Sequence, residues 1–109
     1  MLPRLPTEAE FVDVGFVAEV PAQGARFVQV GGREVMLVRR GGDIAAFSGS
    51  CTHNLARLSE GVIDGGQIVC PRHGARFTLA TGKSQSSLCR DLPSYAVRIV
   101  GRRVLVRLS

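Results

Sequence analysis

Both histidines of this 109-residue chain lie close to cysteines, and this pairing is the strongest chemical signal in the sequence. Cys51 precedes His53 by two positions, and Cys70 precedes His73 by three. Thiolate and imidazole groups are the ligands that zinc and certain iron–sulfur centres take in proteins. Sixteen residues separate His53 from Cys70. Two short loops, each with one thiolate and one imidazole, can therefore converge on a single metal centre.

Two kinds of metal centre fit this ligand set. A structural zinc ion would be bound tetrahedrally by two cysteines and two histidines. A [2Fe–2S] centre of the Rieske type would instead have two cysteines on one iron and two histidines on the other. The third cysteine, Cys89, lies outside both loops. We interpret it as a small apolar side chain that packs in the core, because cysteines without a ligand role usually do so.

The elements that must position these loops are predicted to be short β-strands. The chain contains thirteen glycines, and turns at such short intervals are typical of an all-β domain. Apolar or alternating runs predict strands at 11–14, 26–30, 34–39, 43–47, 62–63, 68–69, 95–100 and 104–108. Glycine pairs at 31–32, 41–42 and 65–66 predict hairpin turns. The residues after Ala56 are compatible with one short helical turn.

Length and composition predict a single globular domain over residues 1–109. Hydrophobic residues make up 45% and charged residues 21% of the chain, which excludes a disordered protein. No apolar run approaches the roughly 20 residues of a membrane span, and the first residues do not resemble a signal peptide. We therefore expect a cytoplasmic protein that does not bind membranes. In that reducing compartment, cysteines serve metal binding or packing rather than disulfides.

The positive charge of the chain does not predict nucleic-acid binding. The formal net charge is +5, but the arginines are scattered and aromatic residues reach only 6%, with no tryptophan. The chain therefore has few aromatic side chains on which nucleic-acid bases could stack. No sequence motif of a nucleic-acid-binding module is present.

The two cysteine–histidine motifs resemble those of the Rieske family of [2Fe–2S] proteins. C-T-H at 51–53 and C-P-R-H-G at 70–74 match the family pattern C-x-H and C-x-x-H, including its proline and glycine. The segments L-S-E-G at 58–61, G-A-R-F at 74–77 and T-G-K at 81–83 match as well. The chain is most similar to the soluble Rieske ferredoxins that deliver electrons to bacterial ring-hydroxylating oxygenases.

This resemblance implies a fold, a cofactor and its ligands. The fold would be the all-β Rieske fold, in which antiparallel sheets form a base domain that carries a small cluster-binding subdomain, here at about 48–80. The cofactor would be one [2Fe–2S] cluster per chain. Cys51 and Cys70 would hold the inner iron, and His53 and His73 would hold the outer iron at the solvent-facing tip.

Four other positions near the cluster follow from the same resemblance. Phe47 and Phe77 would pack in the core close to the cluster, and Gly74 would allow the second loop to turn tightly. One position departs from the family pattern, because the second residue after the first histidine is often glycine and is Leu55 here. We therefore expect the first loop to follow a somewhat different path, or Leu55 to cover the cluster.

The resemblance also restricts the function. Membrane-bound Rieske proteins of respiratory complexes carry an extra cysteine in each loop, whereas the matching positions here are Ala56 and Arg72. Rieske oxygenases bind a second, mononuclear iron with two further histidines, which this chain does not contain. The chain is therefore predicted to be a one-electron carrier and not an enzyme. Its partners would be a flavoprotein NAD(P)H-dependent reductase and a terminal oxygenase, on which a monomer would dock transiently through its cluster tip.

Two alternative functions stay open at this point. The chain could be a small Rieske-type subunit that is permanently bound in an assimilatory nitrite reductase or a similar complex. It could also be a zinc-stabilised β-domain that serves as a binding module. For the ferredoxin, the resemblance implies a low reduction potential, because high-potential relatives have serine and tyrosine hydroxyls where this chain has Ala75 and Phe77. We expect a midpoint on the order of −150 mV, at the low end of the Rieske range.

Overall fold

The structure is a computed structural model, and it describes residues 10–52, 55–87 and 89–108. The strands in these ranges are β1 (Phe11–Phe16), β2 (Arg26–Val30), β3 (Arg33–Arg40), β4 (Asp43–Ser48), β5 (Val62–Asp64), β6 (Gln67–Val69), β7 (Arg76–Thr78), β8 (Ser94–Val100) and β9 (Arg103–Arg107). Two 3₁₀ turns lie at Val17–Glu19 and Leu58–Glu60. Within the described ranges, no helix has the length and apolar character needed to cross a membrane.

The strands form two antiparallel sheets of unequal size. The large sheet has the order β1-β9-β8-β4-β3-β2, and the small sheet has the order β5-β6-β7. In the chain, the small sheet lies between β4 and β8, and the loops that carry the two motifs begin after β4 and after β6. The subdomain predicted at 48–80 contains the small sheet and both loops, and its boundaries stay a prediction.

The predicted strands are all present, and their ends differ from the prediction by no more than two residues. Gly31 and Gly32 have φ angles of 55° and 80°, as a tight hairpin turn between β2 and β3 requires. The sequence analysis missed β7, because a three-residue strand with the sequence R-F-T offers no alternating pattern to detect. In the structure β7 is defined by its pairing with β6, in which Phe77 lies opposite Ile68.

The central strands β3 and β4 are buried on both faces, which explains why each contains four consecutive apolar residues. Successive side chains of a strand point to opposite faces. One face packs into the base core, which consists of Val20, Val30, Val35, Leu37, Ile44, Ala46, Val104 and Val106. The other face packs into the loop core, which consists of Met36, Val38, Ala45, Phe47, Cys51, Ala56, Leu58, Ile68, Cys70, Phe77, Leu79 and Leu92. The loop core joins the large sheet to the small sheet and to both motif loops.

Candidate metal centre

The two motif cysteines begin loops that leave different sheets. Cys51 follows β4 of the large sheet, and Cys70 follows β6 of the small sheet. Both residues belong to the loop core, where they are 0% and 2% exposed. The structure describes all three cysteines, and none of them forms a disulfide. The fold therefore brings one thiol from each sheet into a single apolar environment.

The two loops have the same backbone hydrogen-bond pattern. In each loop the cysteine N–H donates to the carbonyl five residues later, and the N–H four residues later donates back to the cysteine carbonyl. The N···O distances are 2.9 Å for Cys51 to Ala56, 2.8 Å for Leu55 to Cys51, 2.8 Å for Cys70 to Ala75 and 3.2 Å for Gly74 to Cys70. We call this pattern the loop frame.

Each loop frame contains a residue in the left-handed conformation, four positions after its cysteine. In the second loop this residue is Gly74, with φ of 72°, and its expected role in a tight turn is confirmed. In the first loop it is Leu55, with φ of 61°, which is the only positive φ of a non-glycine residue in the described part of the chain. This conformation costs a residue with a Cβ about 1–2 kcal/mol.

Two observations bear on Leu55. At this position the first loop has the same frame as the second loop. The side chain of Leu55 is 79% exposed, and its covering of the cluster stays a prediction. The backbone hydrogen bonds impose the left-handed conformation whether or not the residue there is glycine.

His73 lies on the surface of the second loop, three residues after the buried Cys70. It borders an open groove of about 270 Å³ that is also lined by Gly74, Ala75, Arg76, Gln85, Ser86 and Cys89. His53 lies outside the described residues. Within the described ranges, the structure does not gather three or more acidic, cysteine or histidine side chains into one group. The two thiols share a core, and the one described imidazole lies at the neighbouring surface.

The other residues predicted to lie near the centre occupy the expected places. Phe47 and Phe77 are 3% and 0% exposed, and both belong to the loop core together with the two cysteines. Their predicted packing is confirmed. Cys89 is half-buried and packs against the same core, as its interpretation as an apolar side chain requires.

The first loop is anchored to the large sheet by Glu34, near the start of β3. The N–H of Gly49 donates to the Glu34 carbonyl at 2.8 Å. A Cβ on Gly49 would lie 2.7 Å from Glu34 Cγ, so this close approach requires glycine. On the other side of the loop, Arg57 forms an ion pair with Glu34 Oε2 at 2.9 Å. Both ends of the first loop are thus attached to one residue of β3.

The carboxylate of Glu34 is nearly buried, because only 7% of its side chain is exposed. Burial alone would raise the pKa of this carboxyl group. Hydrogen bonds from Ser59, Arg57 and Gln29 outweigh that effect and hold the pKa of Glu34 below its ordinary value. The sequence analysis missed Glu34, since a glutamate at the start of an apolar strand gives no sign of its partner 23 positions away.

The second loop has a weaker anchor. Arg76 Nη1 lies 3.1 Å from Asp64 Oδ2 and 3.2 Å from Gln67 Oε1. The side chains of Arg76 and Asp64 are 43% and 64% exposed, so solvent screens their attraction. Arg72, at the tip of the same loop, is exposed.

These residues fit a [2Fe–2S] cluster with mixed ligation. Buried thiols suit an iron that is enclosed by protein, and a surface imidazole suits an iron that faces solvent. The matching loop frames give the two loops the same backbone hydrogen bonds around their cysteines. A cluster bound by four thiolates would need a fourth cysteine, and the sequence contains three.

Comparison with known proteins identifies the family. Residues 10–96 match the Rieske [2Fe-2S] domain. This chain belongs to the Rieske family. The ferredoxin component of the naphthalene 1,2-dioxygenase/salicylate 5-hydroxylase systems of Ralstonia sp is 34% identical over 100 residues, which cover 91% of this chain and 96% of that protein.

Two solved structures extend the similarity to the fold. The ferredoxin of carbazole 1,9a-dioxygenase from Nocardioides aromaticivorans IC177 has a TM-score of 0.76 and 31% identity, and the match covers 91% of this chain and 98% of that one. A chain in the complex of reduced oxygenase and oxidized ferredoxin in carbazole 1,9a-dioxygenase has a TM-score of 0.75 and 33% identity, with 91% and 94% covered.

These findings establish the all-β Rieske fold and a [2Fe–2S] cluster as the cofactor, and the zinc alternative is set aside. The chain is a ferredoxin-type electron carrier of the kind found in aromatic-ring dioxygenase systems, and not an enzyme.

Proposed function

We propose that this Rieske ferredoxin accepts single electrons from a flavoprotein NAD(P)H-dependent reductase and delivers them to a terminal aromatic-ring-hydroxylating oxygenase. Cys51 and Cys70 hold the inner iron, and His53 and His73 hold the outer iron. The bound cluster supplies a one-electron couple. The observation that carries the proposal is that each of two loops with the same frame places a buried thiol in one core, with an exposed histidine three residues after the second thiol.

The loop core would shield the two cysteines from solvent, and the exposed side of the centre would be the route for electron transfer. The apolar loop core encloses both cysteines and keeps water away from their sulfur atoms. His73 is exposed, so a docked partner can approach this ligand directly. Electrons would therefore enter and leave at the tip formed by the two loops and not through the base core.

Charge on and near this tip favours an acidic partner surface. Arg72 is exposed in the second loop and Lys83 is exposed beside the end of β7, whereas the charges of Arg57 and Arg76 are partly compensated by Glu34 and Asp64. Together with the formal net charge of +5, this distribution would speed the encounter with a negatively charged oxygenase at low salt. We further propose that the protein acts as a monomer in the cytoplasm and docks transiently, through a cluster-binding subdomain at about 48–80.

Reconstitution tests this function directly. A flavoprotein reductase, NADH and a ring-hydroxylating oxygenase should form product only when the ferredoxin is added, and turnover should fall as ionic strength rises. A ferredoxin that the reductase reduces but that leaves the oxygenase oxidised would contradict the proposal. Turnover that does not change with salt would contradict the steering by charge.

The reduction potential gives a second test. Neither Ala75 nor Phe77 can donate a side-chain hydrogen bond to a cluster sulfur, and such bonds raise the potential by stabilising the more negative reduced state. We expect a midpoint on the order of −150 mV in protein-film voltammetry. That value lets a nicotinamide-fed flavin reduce the protein. A midpoint above about +100 mV would contradict both the hydrogen-bond argument and the assignment to an oxygenase system.

A further inference from the structure

Leu55 is unfavourable for the isolated protein in two independent ways. Its backbone is in the left-handed conformation, which the equivalent Gly74 adopts without strain. Its side chain is 79% exposed, so it gains little by burial. Strained residues that local packing does not require are concentrated at functional sites. The frame of the second loop shows that a side chain is not needed at this position for the loop to fold.

The surroundings of Leu55 resemble the centre of a small protein–protein interface. Leu55 lies at an open groove of about 480 Å³ between the first loop and the large sheet. The groove is otherwise lined by polar or charged side chains and glycine, namely Gln29, Gly32, Arg33, Glu34, Ser48, Ser50, Arg57 and Tyr95. An apolar anchor inside a polar rim is the arrangement from which interfaces gain most of their affinity.

The charges of this groove indicate which kind of surface it fits. Arg33 and Arg57 contribute two positive charges, and Glu34 contributes one negative charge that is 7% exposed and already paired with Arg57. The lining of the groove therefore has a net positive charge. A complementary surface would present an apolar depression bordered by carboxylates.

We propose that Leu55 is the apolar anchor with which this ferredoxin docks on its terminal oxygenase. This inference rests on the proposed function. Leu55 donates its N–H to the Cys51 carbonyl at 2.8 Å, so a partner that grips this side chain is held directly against a ligand-bearing loop. A similar ferredoxin chain has been solved in a complex with an oxygenase, which supports the oxygenase rather than the reductase as the occupant.

Four substitutions of Leu55 separate its side chain from its backbone. Leu55→Ala removes most of the side chain but keeps the left-handed strain, whereas Leu55→Gly removes both. Leu55→Asn keeps a side chain that tolerates this conformation but makes it polar. Leu55→Met keeps an apolar side chain. Val100→Ala is the matched control, because Val100 is an apolar residue that is 55% exposed on β8, away from both loops.

The measurement is the KM for ferredoxin in oxygenase turnover, with the visible spectrum and the midpoint potential recorded for each variant. We expect Leu55→Ala, Leu55→Gly and Leu55→Asn to raise this KM about tenfold, as truncation of an interface anchor does. Leu55→Met and Val100→Ala should stay close to the wild type. The spectrum and the potential should not change, and the KM for ferredoxin in reduction by the reductase should change less than the KM with the oxygenase.

Three results would overturn the inference. The KM with the oxygenase could stay unchanged in Leu55→Ala and Leu55→Gly, or it could rise in Leu55→Gly alone, which would assign the effect to the backbone. It could also change only in the assay with the reductase. A wild-type protein that supports no oxygenase turnover would instead overturn the proposed function. The two failures are therefore distinguishable.

Discussion

The two motif loops have the same frame but are stabilised differently. The second loop has Gly74 at its left-handed position and is anchored by an exposed ion pair between Arg76 and Asp64. The first loop has a strained Leu55 at the same position and a nearly buried anchor at Glu34. The difference shows that backbone hydrogen bonds from the cysteine define the loop shape. The residue at the left-handed position determines only how much free energy that backbone conformation costs.

Removing a cluster ligand should have the largest effect, because loss of the cluster would destabilise both loops. Metal binding and local folding are coupled, so His73→Ala or Cys51→Ala should lose the visible absorption and most of the bound iron. Cys89→Ser is the control, because Cys89 lies outside both motifs and packs against the loop core, and it should retain the spectrum. Loss of the cluster in Cys89→Ser together with its retention in His53→Ala would contradict the ligand assignment.

A substitution at the left-handed positions sharpens the comparison. A Cβ added to Gly74 would have no atom within 4 Å, so Gly74→Ala changes the backbone energy alone. We expect it to lower the free energy of unfolding of the holoprotein by about 1–2 kcal/mol in urea. Leu55→Gly should raise that free energy by about 0.5–1 kcal/mol, since the relief of strain exceeds the entropy that glycine loses. Changes of the same sign at both positions would show that the frames are not equivalent.

The anchor of the first loop gives a pH-dependent effect. Glu34→Gln should lower the free energy of unfolding at neutral pH by about 1 kcal/mol, because a charge-assisted hydrogen-bond network is lost and Arg57 is 59% exposed. The pKa of Glu34 is held below its ordinary value of 4.5, so its carboxylate stabilises the folded state above that pH. The advantage of the wild type over Glu34→Gln should therefore shrink as the pH falls below 4.5. A difference in stability that is constant from pH 7 to pH 4 would exclude this role of the carboxylate.

The anchor of the second loop should contribute least to the free energy of unfolding. Arg76 and Asp64 are both largely exposed, and pairs of this kind contribute about 0.2–1 kcal/mol. Asp64→Asn should therefore change the unfolding free energy by less than Glu34→Gln does, in parallel urea titrations at pH 7. An equal or larger loss would mean that the two anchors do not differ in the way that their burial indicates.

The sequence predicted the elements of this fold well because its strands are bounded by glycines and carry clear apolar patterns. The runs at 35–38 and 44–47 could be recognised as strands, but not as strands buried on both faces, since that depends on where the small sheet packs. The spacing of the cysteines and histidines was enough to predict the family, and the assignment of the four ligands stays a prediction.

Features that depend on contacts between distant segments could not be predicted. The ion pair of Glu34 with Arg57 joins β3 to a loop 23 positions later, and neither residue belongs to a motif. The left-handed conformation of Leu55 could not be predicted either. Local preference disfavours this conformation for a residue with a Cβ, but the hydrogen bonds of Cys51 with Ala56 and Leu55 override that preference.

The central claim is that the two histidines and two of the three cysteines hold one cluster between these loops. Because the chain contains only two histidines, labelling histidine with ¹⁵N marks His53 and His73 alone. Electron–nuclear double resonance on the dithionite-reduced protein should show two strongly coupled ¹⁵N nuclei, one from each loop. His73→Gln, if it retains any cluster, should show one. A reduced cluster without strong ¹⁵N coupling in the wild type would contradict the account, because its iron could not then be bound by either loop's imidazole.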